Sequence, residues 1–321
     1  MTRFDGRLAP MAVATRSGLE ESVHHGAGVA IDENGALAGV GDPDLFVYPR
    51  SCLKPLQAHV MLDLGLELTD AQLAIACASH DGSSLHLDAV RSILARYDLD
   101  VTDLANVAAR PYGAAARTSA RLAGIEPSSL RQNCSGKHAA MLATCRINGW
   151  PIDDYLAPDH PLQVAITSGI GVLGAAVRHV GVDGCGAPTH SLTLRDVAVA
   201  FAALAAPGSV VARAMTSHPE LVAGPTRDIT LWMQAVPTLV AKEGASGVMA
   251  AGLADGRALA FKIADGSDVA RQAVVPAALR AAGVDVDSIA AATVERVAVP
   301  VLGHGEPVGH LDALDWTPCS S

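Results

Sequence analysis

Short apolar runs broken by tight-turn signals crowd both ends of this 321-residue chain, while its middle carries helical spacing instead. Near the N-terminus, Met11–Thr15, Gly28–Ile31 and Ala36–Val40 read as strands, with Asp32-Glu-Asn-Gly35 as a hairpin turn because Asn-Gly accepts positive φ. Near the C-terminus, Gly247–Ala251 and Arg257–Ile263 flank a second turn signal, Ala254-Asp-Gly256, and Val297–Leu302 and Val308–Leu311 follow as short strands. Between them the spacing predicts helices over Leu56–Leu64, Asp70–Ala78, Leu85–Tyr97, Gly136–Asn148, Leu162–Val180, Leu194–Leu204 and Thr226–Ala235, with another over Val269–Ala282. This order predicts an α+β fold, an antiparallel sheet built from N- and C-terminal strands (about residues 8–50 and 245–315) with helices of the middle (about 51–240) packed on it. There is no βαβ alternation, repeat or low-complexity segment, so residues 1–321 read as a single catalytic domain. The Gly/Pro-rich stretch Gly181–Thr189 could set a helical lobe apart.

With half its residues apolar and 17% charged, the chain can bury a full core, made of aliphatic side chains because aromatics are only 3%. A net charge of −10 argues against a nucleic-acid partner, whose phosphates call for basic patches. The first residues carry no apolar signal stretch, and the longest apolar run, Val197–Val211, is broken by Pro207 and Gly208, so no membrane partner and a cytoplasmic location are expected. Six cysteines without a regular spacing read as buried thiols or metal ligands rather than a disulfide framework.

Two stretches carry the chemistry. Arg50-Ser51-Cys52-Leu53-Lys54-Pro55 contains Ser-x-x-Lys, which on a helix puts a hydroxyl and an amine on one face. A neutral lysine can take the proton that makes serine a nucleophile, and a helix N-terminus offers N–H groups to an oxyanion. The plainer reading is a capping serine and a solvated lysine. Asn133-Cys134-Ser-Gly-Lys137-His138 pairs a thiol with nitrogen donors, and Asp183-Gly-Cys185 could close a metal site; thiolate and imidazole favour zinc. The spacing alone selects Cys134 and His138, one helical turn apart. Ser79-His80-Asp81-Gly82 offers either a relaying hydroxyl or an ordinary turn, and Lys262 and Lys242 either complete a serine–lysine site or are strand-end charges.

Taken in order, Glu21–Gly26, Pro49–Gln57, Ala78–Gly82, Asn133–His138, Asp183–Pro188, Lys242–Ala245 and Lys262–Gly266 resemble the asparaginase II family of the rhizobial type, across nearly the whole chain. The resemblance implies hydrolysis of L-asparagine to L-aspartate and ammonia on a fold similar to serine β-lactamases and serine-type glutaminases. It implies Ser51 as nucleophile with Lys54 as its partner, and Ser79 with Lys262 as a second pair. It implies zinc on Cys134, Lys137 and Cys185, with Lys137 in place of His138. Arg50 or Arg16 would meet the substrate carboxylate and Asp183 its ammonium, with His80 a further substrate contact. A homodimer is expected on the same ground. Cys52 stands where the family carries a small residue such as serine.

Other readings stay open at this point. One is a zinc hydrolase in which metal-bound hydroxide attacks. A second is a β-lactamase-like or glutaminase-like hydrolase of another amide, although the Ser-Asp-Asn and Lys-Thr-Gly motifs of β-lactamases are absent from the sequence. A third is a non-catalytic, zinc-stabilised binding protein.

Overall fold

A computed structural model of the chain describes residues 4–289 and 291–319. They fall into two compact units. Unit 1 takes the residues up to Cys52, Leu192–Pro207 and those from Leu231 on; unit 2 takes Leu53–Ser191 and Gly208–Thr230.

Unit 1 is built on an antiparallel sheet. The hairpin of β1 (Ala9–Arg16) and β2 (Leu19–Asp32) opens the chain, and β3 (Gly35–Val40) follows through the Asp32–Gly35 turn. The Asp32 carboxylate accepts the Asn34 and Gly35 amides at 2.8 and 3.1 Å, and Gly35 takes φ +132°, as an Asn-Gly turn requires. The C-terminal half supplies β7 (Val240–Gly244), β8 (Val248–Gly252), β9 (Ala258–Ile263), β10 (Pro300–Gly303), β11 (Glu306–Ala313) and β12 (Thr317–Pro318). The order across the sheet is β10-β11-β1-β2-β9-β8-β7, with β3 also on β2 and β12 on β3. β2 is long enough to serve β1 with its first half and β3 with its second, while β9 lines its other edge from Gly26 to Ile31. Helix α7 (Leu194–Ala205) packs on β2, β8 and β9, and α11 (Asp268–Ala281) packs on β1, β9 and β11. The short strand β4 (Phe46–Val47) pairs with Leu192 and Thr193 of β6 (Pro188–Thr193), and α12 (Ala291–Val297) precedes β10.

Unit 2 is largely helical. Helix α5 (Ser135–Asn148) is buried from Ser135 to Cys145 and is packed by α1 (Lys54–Asp63), α2 (Asp70–Ala76), α3 (Ser84–Arg96) and α6 (Pro161–Val172). Around this core lie α4 (Ala114–Leu122), α8 (Val210–Ser217) and α9 (Pro219–Val222), and β5 (His179–Val182) pairs with the first residues of β6. Helix α10 (Asp228–Ala235) leads the chain back into unit 1. Among the described residues no single helix is long and apolar enough to cross a membrane.

The expected α+β architecture, a sheet drawn from both chain ends around a helical middle, is the one found. One long element differs. The run Leu162–Val180 is not one helix: α6 stops at Val172, Gly174 takes φ +86°, and the chain re-emerges as β5. Three glycines in six residues, Gly169, Gly171 and Gly174, remove the side-chain contacts that would have carried the helix onward. The Gly/Pro-rich stretch 181–189 holds the turn of the hairpin of β5 and β6, with Gly181 and Val182 paired to Thr189 and Pro188 at its ends.

Candidate active site

The Pro49–Lys54 segment is pinned before any chemistry is considered. Arg50 sits at φ +56°, a left-handed conformation that costs a non-glycine residue about 1–2 kcal/mol, and a 3₁₀ turn over Arg50–Leu53 runs into α1, which carries Pro55 in its first turn. Strand β7 holds this turn: a Cβ at Gly244 would lie 2.2 Å from the Pro49 carbonyl oxygen, so only glycine permits the approach. The Cys52 thiol donates to the Lys242 carbonyl at 3.0 Å, and burial pushes its pKa up to about 12, so it packs as a small inert side chain. Ser51 is buried, and Lys54 follows one helical turn later, also buried.

Lys54 has defined partners in unit 2. Its Nζ lies 3.1 Å from Ser79 Oγ and 2.5 Å from the Ala78 carbonyl oxygen. Residues 79–81 lie extended beyond α2, and the Ser79, His80 and Asp81 amides donate to the Val222, Asn133 and Ala223 carbonyls at 3.0, 3.1 and 2.8 Å. His80 is fully buried; Ser135 Oγ donates to the Leu130 carbonyl, so it accepts from His80 Nε2–H at 2.9 Å. Burial, with help from His86 and Lys54, holds the His80 imidazole neutral, and its Nδ1 has no partner among the described residues.

The metal candidates gather in the same unit. Cys134 and Lys137 lie at the start of α5, and Cys185 lies in the turn between β5 and β6, which the Asp183 carboxylate braces by accepting the Gly184 amide at 2.8 Å. Gly136 sets the helix down on α2: a Cβ there would lie 2.0 Å from the Ile75 carbonyl oxygen. Lys137 Nζ stands 3.2 Å from Cys185 Sγ. The two thiols share a hydrogen bond. It pulls the Cys134 pKa well down, against burial and with the aid of Lys54 and Lys137, and raises that of Cys185. Burial disfavours the Lys137 ammonium, but the Cys185 and Cys134 sulfurs and Asp183 outweigh it and raise its pKa. Two buried sulfurs and an amine this close form a donor set suited to zinc, provided Cys185 and Lys137 give up their protons.

His138, the ligand chosen by spacing alone, is engaged elsewhere. Tyr155 Oη accepts the Ala105 amide and lies 2.8 Å from His138 Nδ1. Among the described residues no three His, Cys, Asp or Glu side chains gather so as to hold a metal, so His138 does not join the two thiols.

In unit 1, Lys262 stands on β9 opposite Ala27, with Nζ 2.5 Å from the Ser246 and 2.7 Å from the Ile263 carbonyl oxygens. Burial lowers its proton affinity, and Arg50 adds to this against Asp265 and Asp268. The resemblance pairs Ser79 with Lys262; within unit 2, Ser79 Oγ also has the Lys54 amine at 3.1 Å. Arg16 is an exposed side chain bound to Glu21 at 2.8 Å. Two contacts escaped sequence reasoning. Lys242 Nζ meets Glu243 Oε1 at 2.9 Å, and His24 Nδ1 meets Asp265 Oδ2 at 2.6 Å. The signal for the first was the Lys-Glu pair itself, in which Lys242 reads as a strand-end charge or a serine–lysine partner and not as paired with its neighbour; the second joins a β2 residue to the turn after β9, 241 positions apart, which no local spacing reveals.

Against known proteins, the family model described as L-asparaginase II matches residues 12–313. No curated protein matches the chain. Among solved structures, a crystal structure of a beta-lactamase from Mycobacterium bovis aligns at 18% identity over 81% of this chain and 95% of that one, with a TM-score of 0.40, a likeness too loose to carry an argument. The family match spans the sheet strands, the Ser51–Lys54 turn, the Ser79 segment, the cysteine cluster and Lys262 together, and on it the chain belongs to the L-asparaginase II family of asparaginase-type amidohydrolases.

Proposed function

We propose that the protein hydrolyses L-asparagine to L-aspartate and ammonia through an ester on Ser51. What supports this reading most is the buried Lys54 amine, held 3.1 Å from Ser79 Oγ one helical turn after Ser51. Ser51 Oγ attacks the side-chain amide carbon while its proton passes to Lys54. The amine shares that proton with Ser79 and returns it to the nitrogen as the carbon–nitrogen bond breaks, and ammonia leaves. Water then attacks the ester carbon and gives its proton to the same amine, which returns that proton to Ser51 Oγ as the carbon–oxygen bond to Ser51 breaks and aspartate is released. Backbone N–H groups of the turn that opens α1 are the donors assigned to the oxyanion. Lys262 is assigned to proton movement as the second amine, on the resemblance and on its lowered proton affinity. Arg50 and Asp183 are assigned to the substrate's carboxylate and ammonium. His80, fully buried on Ser135, fits the supporting wall better than a direct contact.

Cys134, Lys137 and Cys185 would hold zinc. Bound there, the ion supplies a fixed positive charge on the Lys54 side of α5. The cysteine cluster also supports a second reading, in which the metal activates water and Ser51 is incidental. A homodimer is proposed on the family resemblance alone.

Ammonia release from L-asparagine and L-glutamine, by wild type, Ser51→Ala and Lys54→Met, each with and without chelator, separates these readings. We expect both variants to lose asparagine turnover by at least about a thousandfold, since removing a nucleophile or its base strips the main chemical contribution. Full activity in Ser51→Ala with loss on chelation moves the chemistry to the metal. A wild type silent on both amides removes the substrate assignment.

A further inference from the structure

Arginines in this acidic protein mostly sit on carboxylates: Arg7 on Asp42, Arg195 on Asp44, Arg213 on Asp70, Arg227 on Asp81 and Arg257 on Asp255. Arg110, Arg117 and Arg121 are exceptions; none has an ion pair among the described residues, and with Thr118 they line one surface cleft of about 390 Å³ in unit 2. Arg117 and Arg121 stand four residues apart on α4, so their charges face each other across one helical turn, an arrangement that destabilises a helix unless an anion joins it. The dipole of α4 favours Arg121 in its last turn, but it accounts for neither Arg117 nor Arg110.

The guanidiniums are also partly held in place. Arg117 Nη2 donates to the Tyr112 carbonyl at 2.6 Å, and Arg110 Nη1 donates to the Ile125 carbonyl at 3.3 Å. A guanidinium carries five N–H donors in a planar fork, so most remain for a ligand, and that fork matches the oxygens of a phosphate. The cleft volume falls in the usual range for small-molecule sites, roughly 300–1,000 Å³. We propose that Arg110, Arg117 and Arg121, with the Thr118 hydroxyl, form a binding site for a small anion that carries a di- or triphosphate group. Three cations around one cleft call for several negative charges, which a linked phosphate chain brings in one molecule and chloride does not. None of these residues belongs to the amidohydrolase machinery, so the site stands or falls independently of that reading.

The test is calorimetric titration of inorganic tripolyphosphate into the whole protein at fixed ionic strength, with sulfate and L-aspartate as control anions. We expect one tripolyphosphate per chain, bound at least about tenfold tighter than either control, and a loss of at least about tenfold in Arg117→Gln/Arg121→Gln, as fits the removal of charge-assisted hydrogen bonds. The double variant should keep its melting temperature and its basal ammonia release. If it does not fold, Arg110→Gln alone should weaken binding in the same direction. Absence of binding to wild type, equal binding by a folded variant, or sulfate or aspartate bound as tightly as tripolyphosphate would each overturn the proposal.

Discussion

Cys134, Cys185 and Lys137 hold between them two protons that a metal must displace. Without metal, Cys134 is the more acidic thiol of the pair, Cys185 holds its proton more tightly, and Lys137 is held toward its ammonium form by both sulfurs. Zinc uptake near neutral pH should therefore release about two protons, from Cys185 and Lys137, and zinc affinity should fall as pH is lowered. Titration in buffers of different ionisation enthalpy counts those protons; uptake with none released would exclude Lys137 and Cys185 as ligands. Gly136→Ala is a second handle on the same place. Its Cβ has the Ile75 carbonyl oxygen 2.0 Å away, so the start of α5 must shift, at a cost of about 1–3 kcal/mol, and zinc affinity should drop with stability. An unchanged melting temperature would show that α2 yields instead. At this scale the sequence was informative about residue type and less so about direction. Cys134 and His138 share a helical face by spacing, yet His138 is turned to Tyr155, a partner seventeen positions away that periodicity cannot supply.

Elements were legible where local chemistry fixes their ends. Helix α2 begins at a capping box, with the Thr69 hydroxyl accepting the Gln72 amide at 3.3 Å and the Gln72 side chain accepting the Thr69 amide at 3.1 Å. Thr69→Ala should cost about 1 kcal/mol in urea unfolding, with ammonia release disturbed only if α2 fails to present Ser79 two residues beyond its C-cap. The Asn-Gly turn before β3 and the Asp-Gly turn before β9 could be read directly, since both glycines take positive φ, at Gly35 and Gly256. α6 and β5 could not be separated by apolar spacing, because valine and isoleucine serve both periods and the deciding residues were glycines. β7 was hidden for another reason: all five of its residues are buried, including Lys242 and Glu243, which satisfy each other and so look like surface charges in the sequence.

Across the molecule, unit 2 carries an acid liability. His80, His86 and His190 all lie in it, and burial lowers the pKa of each, to about 4 for His190. An unfolded histidine binds its proton near pH 6.5 while these folded ones do not, so the unfolded state gains protons as the pH falls. Stability is therefore at full value above about pH 6.5 and declines below it, with roughly 3 kcal/mol at stake from His190 alone by pH 4. Urea midpoints measured from pH 7.5 to 5 should fall steadily. A flat profile over that range would mean the imidazoles reach water more readily than their burial implies. The overall plan, strands from both ends around helices, was legible because turns and periodicity are local; the order of strands was not, since β2 meets β9 across more than two hundred residues.

That separation has a consequence for how the chain is made. Ser51 and the strands before it leave the ribosome early, while Lys262 and the neighbour that closes the far edge of β2 come only with β9. Until then the hairpin at the start waits with an open, apolar edge, and most of unit 2 can complete its helices in the interval. A chain stalled before Ile263 would hold the serine turn and the cysteine cluster yet lack the sheet that braces its own beginning, and such nascent fragments are natural clients for chaperones that shield unpaired strands.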